Sequence, residues 1–140
     1  MADKTGPLGG DTMSATVLIV EDEAHIVEAL TFLLAREGFE VRARNNGTAA
    51  WDTILQTPPD ILILDAMLPE PDGFEILRRI RSRAELATMP VLMLTAKGQK
   101  RDREVAEASG VSLFMTKPFS NGDVVAAVKK LAADRAAERA

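Results

Sequence analysis

Four short apolar runs in this chain end abruptly in reactive side chains. Val17-Leu18-Ile19-Val20 leads into Glu21-Asp22-Glu23, Ile61-Leu62-Ile63-Leu64 into Asp65, Val91-Leu92-Met93-Leu94 into Thr95, and Leu113-Phe114-Met115-Thr116 into Lys117. Runs of β-forming residues with no polar alternation are strands covered on both faces, the pattern of a buried parallel sheet. Parallel strands bring their ends to one edge, where open α/β sheets bind ligands. The polar residues that follow the four runs are therefore the first candidates for a site.

Between the strands the apolar residues switch to helical spacing. After strand one (17–20), Ile26, Leu30, Leu33 and Leu34 mark a helix with Gly38 as its left-handed stop. Strand two (39–44) precedes Asn45-Asn46-Gly47 and a helix carrying Ala50, Ile54 and Leu55 that ends before Pro58-Pro59, with Trp51 packed against it. Strand three (61–64) gives way to the turn-forming stretch 68–73, and Phe74, Leu77 and Ile80 then mark a helix whose outer face holds Arg78, Arg79 and Arg81 in solvent. Strand four (91–94) is followed by a charged helix at 100–109 with a marginal apolar face and low expected local stability. Gly110 leads into strand five (111–116), and a last helix presents Val124, Val125, Val128 and Leu131. Five strands alternating with five helices predict an α/β fold, a (βα)5 three-layer sandwich on a five-stranded parallel sheet.

At 140 residues the chain suits one domain. Residues 1–15, rich in glycine and small polar side chains, read as a flexible leader, 16–135 as the folded body and 136–140 as a tail. No apolar run reaches the length of a membrane span, nothing resembles a signal peptide, and there is no cysteine, so the cytoplasm is the expected compartment. A net charge of −4 and a pI near 5.1 give no footprint for phosphate backbones, so direct nucleic-acid binding is not expected.

An acidic run at a helix start can simply complement the helix dipole. That reading weakens once Asp65 joins Glu21 and Asp22, since strands one and three are neighbours in the order 2-1-3-4-5 of flavodoxin-like sheets. Carboxylates on adjacent strand ends repel one another unless a cation lies between them, and hard oxygen ligands with open positions suit Mg²⁺. Thr95 adds a hydroxyl and Lys117 an ammonium group. A cation site, a carboxylate nucleophile, a hydroxyl donor and an ammonium together are the equipment for placing a phosphoryl group on an aspartate.

These residues resemble the receiver domain of bacterial two-component response regulators over about 16–131. The segments Val20-Glu21-Asp22-Glu23, Leu64-Asp65-Ala66-Met67-Leu68-Pro69, Asp72-Gly73, Leu94-Thr95-Ala96 and Thr116-Lys117-Pro118-Phe119 stand in family order and spacing. The resemblance implies that Asp65 accepts a phosphoryl group from a histidine kinase or histidine phosphotransfer protein. It also implies that Glu21, Asp22, Asp65 and the backbone carbonyl of Met67 arrange Mg²⁺, and that Thr95 and Lys117 hold phosphoryl oxygens. Phe114 occupies the place of the family's switch aromatic, acting with Thr95, and a cis peptide is implied before Pro118. Such a protein is a signalling receiver rather than an enzyme in the ordinary sense, and its output passes through helix 4, strand 5 and helix 5 to a downstream protein.

Three other readings are weaker. A haloacid-dehalogenase-like phosphohydrolase would carry a second aspartate where Met67 stands, and a flavin carrier would not place Glu21-Asp22-Glu23 against a phosphate. A scaffold that is never phosphorylated would not keep Asp22, Asp65 and Lys117. His25, the only histidine, reads as a helix-surface residue, so a phosphohistidine donor comes from another protein. The chain has no expected room for a DNA-binding output domain. Ser112-Leu113 and Ala127 stand where a winged-helix subfamily keeps an acidic pair and an arginine, so a monomer or a weak phosphorylation-dependent dimer is expected, with Leu113 as an apolar contact. Met67 and Lys97, two positions after Asp65 and Thr95, are placed to gate water at the site.

Overall fold

The protein is described from a computed structural model covering residues 15–96 and 100–139. The elements run β1 (Thr16–Val20), α1 (Ala24–Arg36), β2 (Glu40–Arg44), α2 (Gly47–Gln56), β3 (Ile61–Asp65), α3 (Gly73–Ser82), β4 (Val91–Thr95), α4 (Lys100–Ala108), β5 (Leu113–Thr116) and α5 (Asn121–Arg139). All neighbouring strands are parallel, in the order β2-β1-β3-β4-β5, which is the flavodoxin-like arrangement. Residues 1–14 of the expected leader and Lys97 lie outside the described residues.

Every residue of β1, β3 and β4 after Thr16 is buried, and the two-residue period of a strand sorts those side chains between two cores. Val17, Ile19, Ile61, Ile63, Leu92 and Leu94 meet Leu30 and Leu34 of α1 and Val124, Val128 and Leu131 of α5. Leu18, Val20, Leu62, Leu64, Val91 and Met93 meet Ala50 and Ile54 of α2, Ile76, Leu77 and Ile80 of α3, and Ala106 of α4. Two cores on opposite faces of one sheet make the three layers. At about 1.5–3 kcal/mol for each large aliphatic side chain fully buried, these central strands are the fold's main source of stability.

Loop chemistry sets where the helices begin and end. Asn46 caps α2 by accepting from the Ala49 amide at 2.8 Å, and Asp72 caps α3 by accepting from the Glu75 amide at 2.9 Å. Gly38, after α1, takes φ of 98°, a left-handed conformation that glycine adopts at little cost. Gly73 is required for a different reason: its α-carbon presses on the end of β3, where a Cβ would overlap the Asp65 carbonyl oxygen and lie 2.8 Å from Ala66 Cα. The β3–α3 loop therefore folds back against the residue that most concerns function.

Five details depart from the sequence reading. Leu55 is 43% exposed and leaves the α2 core face to Ala50 and Ile54. Residues 111 and 112 precede β5 instead of beginning it, and α5 continues unbroken through residue 136 to Arg139, so residues 136–139 of the expected tail are helical. A second cis peptide joins Glu70 to Pro71, besides the one before Pro118. The arginines of α3 are not uniformly solvated. Arg78 is exposed and pairs with Glu75, but Arg79 lies over the Trp51 ring at 5.6 Å. Arg81 is half-buried and donates to the carbonyls of Met89 and Gly110 at 2.7 Å, of Ala87 at 3.2 Å, and to Ser112 Oγ at 3.3 Å. It joins α3 to the connections on both sides of β4 and α4.

No helix among the described residues is long and apolar enough to cross a membrane. Hydrogen bonds from a charged donor typically contribute about 1.5–3 kcal/mol, and removing the donor leaves carbonyls unpaired. Urea unfolding of Arg81→Ala is therefore expected to show a loss of about 2 kcal/mol or more, whereas Arg78→Ala stays within about 0.5 kcal/mol of the unaltered protein. Equal losses for the two variants would contradict the role assigned to Arg81.

Candidate phosphoryl-acceptor site at the sheet edge

The registers bring the polar residues together. Val20 pairs with Leu64, Asp65 with Leu94, and Thr95 with Thr116, so Glu21, Asp65, Thr95 and Lys117 all come to the C-terminal edge of the sheet. The Ala66 amide donates to the Leu94 carbonyl at 2.7 Å and the Lys117 amide to the Thr95 carbonyl at 2.6 Å, which extends the sheet one step into the site. Glu21, Asp65 and Thr95 are buried, at 1%, 3% and 1% exposure, while Asp22 is exposed.

Carboxylate oxygens of Glu21, Asp22 and Asp65 lie within 4.8 Å of one another. Lys117 Nζ sits among the acids, 2.7 Å from Glu23 Oε1, 2.9 Å from Glu21 Oε1 and 3.6 Å from Asp65 Oδ2. Asp65 Oδ1 accepts from the Met67 amide at 3.0 Å, and Glu21 Oε2 accepts from the Glu23 amide at 3.0 Å. Glu21 Oε1 is an ion-pair partner of Lys117 without hydrogen-bonding alignment, so this buried oxygen has no hydrogen bond.

Burial pushes the Glu21 carboxyl up to about 7, and the nearby Asp65 charge adds to the rise against the opposing pull of Lys117 and the Glu23 amide. For Lys117 burial works against the charged form. Its contacts with Glu23 and Glu21 and the charge of Asp65 outweigh that effect and hold the ammonium above the usual lysine range. A buried carboxylate oxygen without a hydrogen bond, in a set of three clustered carboxylates, is chemistry that fits a hard divalent cation such as Mg²⁺.

The structure thus gathers Glu21, Asp22, Asp65, Thr95 and Lys117 and ties the Met67 backbone to Asp65, with the Met67 side chain 62% exposed. Phe114 lies farther back on β5, opposite Met93. It packs half-buried against the α2/α3/α4 core, with the Arg103 guanidinium 5.0 Å over its ring. His25 is exposed on α1, as expected. The dipole reading of the acidic run is not favoured, because the first turn of α1 holds no acidic residue and the Glu23 side chain makes no cap hydrogen bond. Instead Glu23 binds Lys117, a role the sequence did not reveal. Its partner is 94 positions away, and no local pattern marks such a pair.

The sequence matches the response regulator receiver domain over residues 17–129. A Chloroflexus aurantiacus protein described as a response regulator is 35% identical over 86% of this chain and 98% of that one, with a TM-score of 0.80. The signal receiver domain of a signal transduction histidine kinase from Syntrophus aciditrophicus is 31% identical over 86% of this chain and 92% of that one, again with a TM-score of 0.80. The chemotaxis protein CheY4 of Vibrio cholerae is 25% identical over 84% of this chain and 98% of that one, at a TM-score of 0.78. With the family's match spanning all five strands and the acidic edge in place, this chain belongs to the response regulator receiver domain family, the signalling receivers of two-component systems.

Proposed function

We propose that residues 16–135 form a working phospho-acceptor receiver in which Asp65 is the nucleophile. The observation that carries this reading is a buried Asp65 carboxylate at the sheet edge, 3.6 Å from Lys117 Nζ and clustered with Glu21 and Asp22. A histidine kinase or histidine phosphotransfer protein, the partners of receiver domains as a class, supplies the phosphoryl group. An Asp65 oxygen forms the new bond to phosphorus as the bond to the donor's imidazole nitrogen breaks, and the imidazole leaves with that electron pair and takes up a proton. Lys117 and Thr95 bind phosphoryl oxygens and offset the charge they carry, which is the main task of catalysis in phosphoryl transfer. Mg²⁺ held by Glu21, Asp22, Asp65 and the Met67 carbonyl would supply positive charge that offsets the charge of the phosphoryl group.

The signal then passes through Thr95 and Phe114 to the surface of α4, β5 and α5, where a downstream protein binds. Leu113, half-buried on β5, is the apolar contact for a partner or for a weak second copy. Met67 and Lys97 guard the approach of water, Met67 by bulk and Lys97 by pairing with phosphoryl oxygens.

Three measurements test these statements. Acetyl phosphate with Mg²⁺ is expected to add one acid-labile phosphoryl group by intact mass, and Asp65→Asn to abolish it; an equal mass gain in the variant shows that the nucleophile lies elsewhere. Asp22→Ala is expected to weaken Mg²⁺ binding about tenfold or more, about 1.4 kcal/mol, with little loss of fold stability because it relieves like-charge repulsion. Unchanged Mg²⁺ affinity refutes that ligand. Met67→Asn combined with Lys97→Glu is expected to speed phosphate loss roughly tenfold, about 1.4 kcal/mol of barrier, at equal initial phosphorylation and saturating Mg²⁺. Superimposable decay curves remove the gating role.

A further inference from the structure

We infer that Glu23 is a positioning residue that holds Lys117 in a resting place, and that phosphoryl capture at Asp65 requires Lys117 to leave it. The inference rests on the phospho-acceptor reading above. Lys117 Nζ lies nearest to Glu23, at 2.7 Å, and farthest from Asp65, at 3.6 Å. In the resting state its shortest bond is to a carboxylate other than the one that receives the phosphoryl group.

The three acids differ in how readily they can release the ammonium. Glu21 is buried, its Oε2 is tied to the Glu23 amide, and its Oε1 has Lys117 as its nearby charge. The Glu23 side chain is 46% exposed and makes no cap hydrogen bond to α1, so water can solvate it when the pair opens. A phosphoryl group on Asp65 brings new negative oxygens to a place the ammonium already faces. An ion pair present at rest and lost on the way to the transition state raises the barrier to transfer. Loss of the phosphoryl group by hydrolysis starts and proceeds with Lys117 already on its oxygens, so the Glu23 pair does not enter that step.

Neutralising Glu23 should therefore separate gain from loss of the phosphoryl group. Glu23→Gln keeps the shape and removes the charge. With acetyl phosphate and saturating Mg²⁺, its rate of phosphorylation is expected to rise roughly threefold to fivefold, the scale of a half-exposed ion pair, while the decay rate stays within twofold. Binding gives a readout independent of turnover. Calorimetric affinity for beryllofluoride at saturating Mg²⁺, a mimic of the phosphoryl group, is expected to rise by a similar factor. Glu28→Gln removes an equal charge from the exposed surface of α1 and serves as the control. If the unaltered protein binds the mimic and Glu23→Gln gains nothing, or if Glu28→Gln gains as much, the role of Glu23 is overturned while the acceptor reading stands. If the unaltered protein neither binds the mimic nor gains a phosphoryl group, the acceptor reading itself fails and this inference with it.

Discussion

One ammonium group surrounded by carboxylates governs this molecule's chemistry. Lys117 faces Glu21, Glu23 and Asp65 from a position only 14% exposed, and Asp22 stands in the same acidic cluster as Glu21 and Asp65. A single positive charge cannot balance that many acids. Burial makes the imbalance costlier, which is why the Glu21 carboxyl is raised to about 7 even with Lys117 beside it. The fold thus maintains an edge that favours added positive charge from a divalent cation. It sets an ammonium among these acids and brings Thr95 to the same edge.

The sheet makes such an edge sustainable. The apolar residues before Glu21, Asp65 and Thr95 are fully buried, and their strands are locked side by side by parallel registers. The stability lost to crowded charge at one end is offset by aliphatic burial along the strands. Position is fixed as tightly as energy. Gly73 lets the next loop press directly on the Asp65 backbone, and Asp72 uses its carboxylate to cap α3, so it is not one of the clustered acids. Two adjacent aspartate-bearing segments thus acquire different tasks through their backbone surroundings alone.

What was legible in the sequence follows from the range of the interactions involved. β1, β3 and β4 announce themselves because burial on both faces demands an unbroken apolar run, and α1 and α3 because one covered face imposes a helical period. The convergence of Glu21, Asp65, Thr95 and Lys117 then follows from parallel topology. Arg81 and Glu23 were not legible. Both act through polar contacts to distant parts of the chain, Arg81 to residues as far as 31 positions on and Glu23 to one 94 positions on. A long side chain on a helix surface carries no periodic mark that separates a solvated charge from one that ties two loops together. Leu55 fails for a related reason: Ile54 has the inward position, and its neighbour Leu55 falls at the margin of the covered face, 43% exposed.

The layer over β4 and β5 is built to different standards from the rest, and this bears on how a charge event at the edge can reach the surface. α4 buries one of its side chains, Ala106, whereas α3 buries Ile76, Leu77 and Ile80 besides Gly73. Displacing α4 therefore exposes little apolar area, and small free-energy changes suffice to shift it. Its contact with β5 includes Arg103 over Phe114, a cation–π pairing of the order of 1 kcal/mol, which orients the ring without locking it. On the strand beside it, Thr95 lies two residues beyond Met93, the register partner of Phe114. A pull on Thr95 is therefore felt first by the β4–β5 pair, whose outer strand is only half-buried, beneath the helix that costs least to move. In the proposed signalling cycle the phosphoryl group need supply only a few kcal/mol of differential binding to change the exposed face, because the fold has concentrated its stability elsewhere.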